Sequence, residues 1–291
     1  MLRLWIKRIV LLPYKLTRGF DKYYEYFLSR LLTREFASEG RTSYIALNSE
    51  IRRTIKHRCT NGSLFEGTFL TPNRVCTYRV NSFSSKEPEM LAWVDEFGGQ
   101  GALFDIGANI GLYSIYYAKT KAGPVYAFEP SVFNLTLLAR NIFINDVVDK
   151  ISIVSNPLSD ANSLACFKVS STEEGSAINA FGINYGPDGK LFHSVSEYKI
   201  LGFSLDYLLD NKIISDVPSM IKIDVDGVEH LILSGAEKTL RNNECKTVYV
   251  EVNDSFESQA EGVQKVLLDC GFYMHDRIDS GRQSCNQVWV K

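Results

Sequence analysis

Phe104-Asp-Ile-Gly-Ala-Asn-Ile-Gly-Leu-Tyr113 decides the fold. The apolar run Ala102–Ile106 ends on this stretch, and the helical pattern Ile110–Lys119 leaves it. Two glycines at the junction, Gly107 and Gly111, allow the backbone to turn sharply and to approach a ligand closely. Working outward, apolar runs and helical patterns continue to alternate. Val125–Phe128, Ile151–Val154, Leu164–Val169, Met220–Val225 and Val248–Val252 read as strands. Val132–Ile144, Leu205–Leu209, Val228–Leu240 and Ala260–Cys270 read as helices. Upstream, Pro88 and its acidic neighbours open a helix in the stretch Ser85–Phe97, which Gly98 and Gly99 close. Such alternation predicts an α/β fold, a doubly wound sheet of mostly parallel strands with helices on both faces. Phe272–His275 and Gln287–Lys291 follow with no helix between them, so an antiparallel strand is expected at that edge. Ser170 to Tyr198 reads as one long polar loop, and Glu39 to Ser85 as a small irregular lead-in with β-like runs at Ser63–Gly67 and Val75–Val80.

A doubly wound sheet binds its ligand at the carboxyl ends of its strands. The glycine turn lacks the third glycine of the dinucleotide fingerprint, so no phosphate need be cradled. Asp105 at the strand end would repel a pyrophosphate but could hold a cationic amino group. Phe128-Glu-Pro130 ends the next strand, about 20 residues on, where a carboxylate can accept both ribose hydroxyls. A ribose plus an amino acid without phosphates describes S-adenosylmethionine. Each feature has a plainer reading, Asp105 as a turn cap and Glu129-Pro130 as a helix start, but their spacing on consecutive strands favours the nucleoside site. The third strand end, Ile221-Lys-Ile-Asp-Val-Asp-Gly-Val-Glu229, should lie beside the first and carries Asp224, Asp226 and Glu229. Methyl transfer to a hydroxyl needs positioning and a proton acceptor, and Asp224 is expected nearest the transferred methyl. Asp226 reads equally as a turn residue before Gly227, and Glu229 as a first-turn carboxylate complementing a helix dipole.

The combination of Lys86-Glu-Pro-Glu, the Phe104 stretch, Tyr126-Ala-Phe-Glu-Pro-Ser, Leu158-Ser-Asp, Ser204-Leu-Asp and the Ile221 stretch resembles the FkbM-type methyltransferase family from about Ser84 to Lys291. That resemblance implies a class I, Rossmann-like sheet of seven strands, S-adenosyl-L-methionine as cofactor, and O-methylation of a sugar or polyketide hydroxyl. It also implies a cofactor loop of Asp105, Gly107, Asn109 and Gly111, with Glu129 and Pro130 at the ribose and Ser159-Asp160 near the adenine. Glu87 and Glu89 would close over the methionine end. The last motif reads Asp-Val-Asp-Gly where the family form is Asp-Val-Glu-Gly, an exchange that keeps the charge.

His193, in the long loop, and His230, after the acidic strand end, are equal candidates for a base. Asn179, Asn184 and Tyr185 could meet sugar hydroxyls, and Glu251 and Asn253 end the fifth strand on the same rim. No cysteine pair has metal-ligand spacing, so no metal is expected, and the six thiols are read as buried in a reducing compartment. With 291 residues and a net charge of −2, one core with an extension fits, and a general nucleic-acid binder does not. The head is different: residues 1 to 34 hold eight lysines and arginines against Asp21 and Glu25. Leu2, Trp5, Ile6, Ile9 and Leu12 share one helical face and Arg3, Lys7 and Arg8 the other. Residues 1–36 are thus read as a basic amphipathic segment, with residues 1–18 either on a membrane surface or docked on the chain's own domain or a dimer partner. Three divisions follow: 1–36, 37–84 and 85–291. The chain is expected in the cytoplasm or at the inner membrane face, acting on a small-molecule or glycan acceptor. A nicotinamide oxidoreductase and a non-catalytic scaffold on the same sheet are the competing readings.

Overall fold

A computed structural model describes residues 51–279 and 284–291, apart from Phe192. The basic amphipathic segment lies outside the described residues. Arg52–Lys291 forms one compact unit. Among the described residues no helix is long and apolar enough to cross a membrane.

Seven strands make the central sheet: β3 (Ala102–Ile106), β4 (Val125–Phe128), β5 (Ile151–Val154), β9 (Pro218–Ile223), β10 (Thr247–Asn253), β11 (Tyr273–Asp279) and β12 (Ser284–Val290), in the order β11-β12-β10-β9-β3-β4-β5. Six of them run in one direction, while β12 is antiparallel to both of its neighbours, as the missing helix between the last two strands implied. The chain winds from β3 out to β5, then returns to place β9 on the other flank of β3. The reversal lies at the β3–β9 junction, where such sheets open a crevice.

Strand alternation assigns the two faces. Leu103, Val125, Met220 and Tyr249 turn to one side, under α3 (Pro88–Phe97), α4 (Leu112–Thr120) and α5 (Val132–Ile144). Phe104, Ile221, Val248 and Trp289 turn to the other, under α6 (Leu205–Asp210), α7 (Glu229–Ser234), α8 (Glu237–Arg241) and α9 (Glu257–Asp269). Fully buried parallel strands read as near-continuous apolar runs, which is why β3 and β9 were legible. Their two charged members, Asp105 and Lys222, stand opposite each other in register.

Three readings need correction. Val75–Val80 is not β-like: it lies in a helix, α1 (Arg74–Asn81), whose N-cap Asn73 accepts the Cys76 N–H at 2.9 Å. A capping side chain outweighed the strand preference of two valines. The long loop Ser170 to Tyr198 contains β7 (Asn179–Phe181) and the start of β8 (Ser196–Gly202), which flank β6 (Ser163–Val169) in a separate antiparallel sheet. The helix read at Val228–Leu240 breaks into α7 and α8 at Gly235, where a β-carbon would come within 2.1 Å of the Ser159 carbonyl oxygen. A short helix, α2 (Phe83–Lys86), precedes α3.

A hairpin, β1 (Arg52–Arg58) with β2 (Leu64–Leu70), attaches outside the central sheet. Two asparagines one turn apart on α5 replace a third strand. Asn145 accepts the Thr68 N–H at 2.9 Å and donates to the Thr68 carbonyl at 2.6 Å. Asn141 accepts the Leu70 N–H at 2.9 Å and donates to the Ile110 carbonyl at 2.9 Å, so it ties the hairpin to the glycine turn. Asn141→Ala leaves a buried donor and a buried acceptor unpaired, each costing about 1–3 kcal/mol. We expect a loss of about 2–4 kcal/mol in urea unfolding, with the hairpin amides losing hydrogen-exchange protection first. Unchanged protection would show that the asparagine does not hold the hairpin.

Candidate active site

The crevice at the β3–β9 reversal holds a cavity of about 220 Å³. Its floor is the turn after β3. Gly107 has φ +83°, and a β-carbon there would lie 2.0 Å from the Asp224 carbonyl oxygen, so only glycine lets β3 and β9 close at their ends. Gly111 forms the N-cap of α4. Asn109 and Glu129 line one wall. Glu129 is buried and accepts the Asn109 and Ser131 N–H groups, both at 2.8 Å, one on each carboxylate oxygen. Burial pushes its carboxyl up to about 7 against the lowering effect of those bonds. Leu158, Phe167 and Phe181 make an apolar slot beside Asn156.

Below the floor lies Lys222, only 2% exposed. Its ammonium sits 3.2 Å from Asp105 Oδ1 and 3.4 Å from Asp224 Oδ2, and donates to the Gly107 carbonyl at 2.9 Å. Burial would strip its proton, but Asp105 and Asp224 outweigh it and hold the lysine charged well above its ordinary value. Asp224 reaches the cavity. Burial alone would raise it, yet Lys222 and Lys86 hold it at about 2. Glu251, on the adjoining strand β10, is driven the other way, to about 9, by burial and by Asp224. The pair thus carries one proton, on Glu251, and one charge, on Asp224. Asp226 accepts the Asn179 N–H at 2.7 Å and rises to about 6 through burial.

A strap of backbone, Glu173–Ala177, reaches the cavity at Ala177 and is tied down by side chains from three elements. Asn73 donates to the Glu174 carbonyl at 2.9 Å and Arg79 Nε to the Gly175 carbonyl at 2.5 Å, both from the α1 region. Asn134 of α5 accepts the Gly175 N–H at 2.8 Å, and Asn109 of the floor donates to the Ser176 carbonyl at 3.0 Å.

A floor that only glycine can make, a buried carboxylate one strand over and an acid pair beside the reversal agree with the sequence comparison, in which the profile of the methyltransferase FkbM domain matches residues 105–274. The chain belongs to the FkbM methyltransferase family. Among solved structures, this FkbM-family chain is similar to methyltransferase FkbM from Methylobacillus flagellatus KT, at 14% identity and a TM-score of 0.45 over 88% of this chain and 60% of that one. It therefore spans about 60% of that protein's length. The tRNA (uracil-54, C5)-methyltransferase of Pyrococcus abyssi, in complex with S-adenosyl-L-homocysteine, is 13% identical with a TM-score of 0.43 over 81% of this chain and 43% of that one. Precorrin-6y C5,15-methyltransferase of Geobacter metallireducens GS-15 is 12% identical, TM-score 0.41, over 73% of this chain and 88% of that one. No curated protein matches the sequence. Membership sets aside the nicotinamide reading and makes S-adenosylmethionine the cofactor.

The FkbM-family residues present fit that group. Backbone N–H groups and the Asn134 amide occupy all but one of the about four lone pairs of the Glu129 carboxylate, and the last is open to a ribose hydroxyl. Asn109 Oδ1 is buried with no partner of its own, an acceptor awaiting a donor. The apolar slot suits a purine, and the ionised Asp224 suits a cationic sulfonium and amine.

The structure brings Gly107, Asn109, Glu129, Pro130, Asp224, Asp226, Asn179 and Glu251 to one cavity. It separates others from it. Asp105 is fully buried beneath the floor, taken up by Lys222 and by the Ser114 hydroxyl at 2.5 Å, so it holds the turn and cannot also hold a ligand amine. Ser159 and the exposed Asp160 sit one step too far along, against Gly235, and Asn156 to Leu158 line the slot in their place. Glu229 is 1% exposed and spends its oxygens on the Gln259 amide and on the Val225 and Gly227 N–H groups. It holds the Asp226-Gly227 turn and is no acid or base for a substrate. His193 is exposed and outside the cavity. Half-buried His230 packs on Phe256, as does Tyr185. Asn184 pairs with Lys168, and Asn253 caps a turn at Ser255. Glu87 lies behind the cavity, bound by the Tyr113 hydroxyl at 2.6 Å and by Lys86, while Glu89 binds Asn286 at 2.8 Å. Sequence reasoning missed Arg79, Lys86 and Tyr113, which line the cavity. Arg79 comes from a helix with no legible motif, Lys86 stands in a motif whose glutamates draw the attention, and Tyr113 reads as helix core.

Two tests address the electrostatics. Lys222→Met strands Asp105 in the core, and breaking a buried pair costs about 3–5 kcal/mol. Lys222→Met/Asp105→Asn should recover most of it in denaturant unfolding, and equal losses for both variants would deny the pairing. The second test is pH. Asp226, Glu129 and Glu229 have folded values raised to about 6, 7 and 8, above the ordinary 3.8 to 4.5. The native chain therefore holds protons that the unfolded chain releases. Their contribution is complete at pH values below the unfolded range and is lost as pH climbs through 6 to 8. The melting temperature should fall across that window, and Glu229→Gln should flatten its upper half. A curve that rises with pH there would contradict these assignments.

Proposed function

We propose that the chain transfers a methyl group to a hydroxyl oxygen of a sugar in a glycan or glycolipid precursor. The observation that carries this reading is the Asp224 carboxylate on the cavity wall, 3.4 Å from the buried Lys222 ammonium and in the same cavity as Glu251. The cofactor supplies an electrophilic methyl on a sulfonium. Glu129 would accept a ribose hydroxyl, and Phe167 and Phe181 would enclose the adenine. Asp224 accepts the hydrogen bond of the incoming hydroxyl and fixes the direction of its lone pair. A hydroxyl oxygen becomes strongly acidic as it is alkylated, so even a carboxylate near 2 can take the proton as the carbon–oxygen bond forms. Glu251, holding its own proton, bonds to Asp224 and keeps that carboxylate aimed. An amine nucleophile would arrive cationic and need a stronger base than Asp224, so the pair favours oxygen.

S-adenosylhomocysteine should raise the melting temperature of the full chain by mass action, and Glu129→Ala should abolish the rise. Asp224→Asn should keep the rise while lowering methyl transfer to a pool of sugar acceptors about 10²–10⁴-fold, the usual span for a positioned proton acceptor. A chain that binds the cofactor but methylates amines, or nothing at all, would turn this reading toward N-methylation or a scaffold.

A further inference from the structure

Arg79 is the cation of this cavity that the cofactor does not account for. Its Nε is fixed to the strap at the Gly175 carbonyl, 2.5 Å away. The rest of its guanidinium lines the cavity and has no carboxylate within ion-pair distance among the described residues. Asp224 and Asp226 line the same cavity as Arg79. Lys86 stands nearby, already paired with Glu87. An arginine with a free fork in a partly desolvated wall is built for a planar or tetrahedral oxyanion.

Two anions could come there, the cofactor's own carboxylate or an acid group on the acceptor. The first has another seat. The Leu112 and Tyr113 N–H groups in the first turn of α4 find no acceptor among the described residues, and both residues line the cavity at the glycine turn. A helix start of that kind receives a carboxylate without help. Arg79 comes from α1, outside the matched residues 105–274 that carry the floor, Glu129 and Asp224. It lines the same cavity as Asp224, where the acceptor hydroxyl would meet its proton acceptor.

We propose that Arg79, assisted by Lys86, binds a carboxylate or phosphate of the acceptor, so that the sugar methylated here is an acidic or phosphate-linked one. This rests on the transfer reading above and names its substrate class. An oxyanion held by Arg79 presents a neighbouring hydroxyl to Asp224, and a neutral sugar lacks that anchor.

The test uses the full chain with glucuronate, inorganic phosphate and glucose as probes, titrated by calorimetry with and without saturating S-adenosylhomocysteine. Glucuronate and phosphate should bind saturably and glucose at least tenfold more weakly. Arg79→Met should weaken both anions about tenfold or more and leave S-adenosylhomocysteine unchanged, while Arg79→Lys keeps part of the affinity. Should Arg79→Met perturb the fold, Lys86→Met, outside the strap's bonds, must still weaken the anions severalfold. Equal binding of glucose and glucuronate, or anion binding indifferent to Arg79, overturns the proposal. So does an Arg79→Met chain that loses S-adenosylhomocysteine but keeps methylthioadenosine, which lacks the amino-acid end, because Arg79 then serves the cofactor. A wild-type chain that binds anions through Arg79 but no S-adenosylhomocysteine fails the transfer reading and not this one.

Discussion

Everything at the carboxyl end of this sheet depends on one ammonium group. Lys222 stands where a parallel strand normally carries an aliphatic residue, and it touches Asp105, Asp224 and the Gly107 carbonyl at once. A lone charge at that depth would be intolerable, and so would either aspartate without it. Together they lock the ends of β3 and β9 in register and fix the path of the glycine turn. The lysine also sorts the acids around it. Asp224, in contact with it, stays ionised, while Glu251, Glu129 and Asp226 respond mainly to burial and drift upward. One buried cation thus sets up a gradient of proton affinity across a few ångströms, which an unmixed cluster of carboxylates could not sustain.

The strap is built by a different economy. Glu173–Ala177 owes nothing to regular structure and is held by amides and a guanidinium that bind its backbone. Asparagine recurs in this role. Asn141 and Asn145 stitch the hairpin to α5, and Asn134 and Asn109 stitch the strap. An amide can donate and accept together, so it mimics the peptide group that a neighbouring strand would have offered. The accessory parts are joined to a standard sheet by this device and not by extending the sheet.

The sheet was legible because its signals are local. Ala102–Ile106, Val125–Phe128 and Ile151–Val154 are apolar runs bounded by turn residues, and the structure returns the same bounds. The Asp105 and Glu129 strand ends were legible as a site because their spacing follows from the winding. What escaped depends on distant partners. Asp105 reads as a ligand carboxylate until Lys222 is seen beside it in register, and Glu229 reads as an acid until Gln259 and the Gly227 N–H are found on it. Arg79 carries no local mark, because its place in the cavity comes from a bond to Gly175, 96 positions along the chain. Histidines drew attention by their chemistry alone, and none of those weighed reaches the cavity.

That same distance governs how the molecule is made. The bonds that seat the strap join Asn73 to Glu174 across 101 positions and Asn109 to Ser176 across 67. Closing loops of this length costs entropy before any contact repays it. The floor is no more local, because Lys222 reaches the Gly107 carbonyl across 115 positions. The strap's partners Asn73, Arg79, Asn109 and Asn134, and the strap itself, all precede Lys222 in the chain. During synthesis every group that seats the strap is therefore made before the cation that fixes the floor.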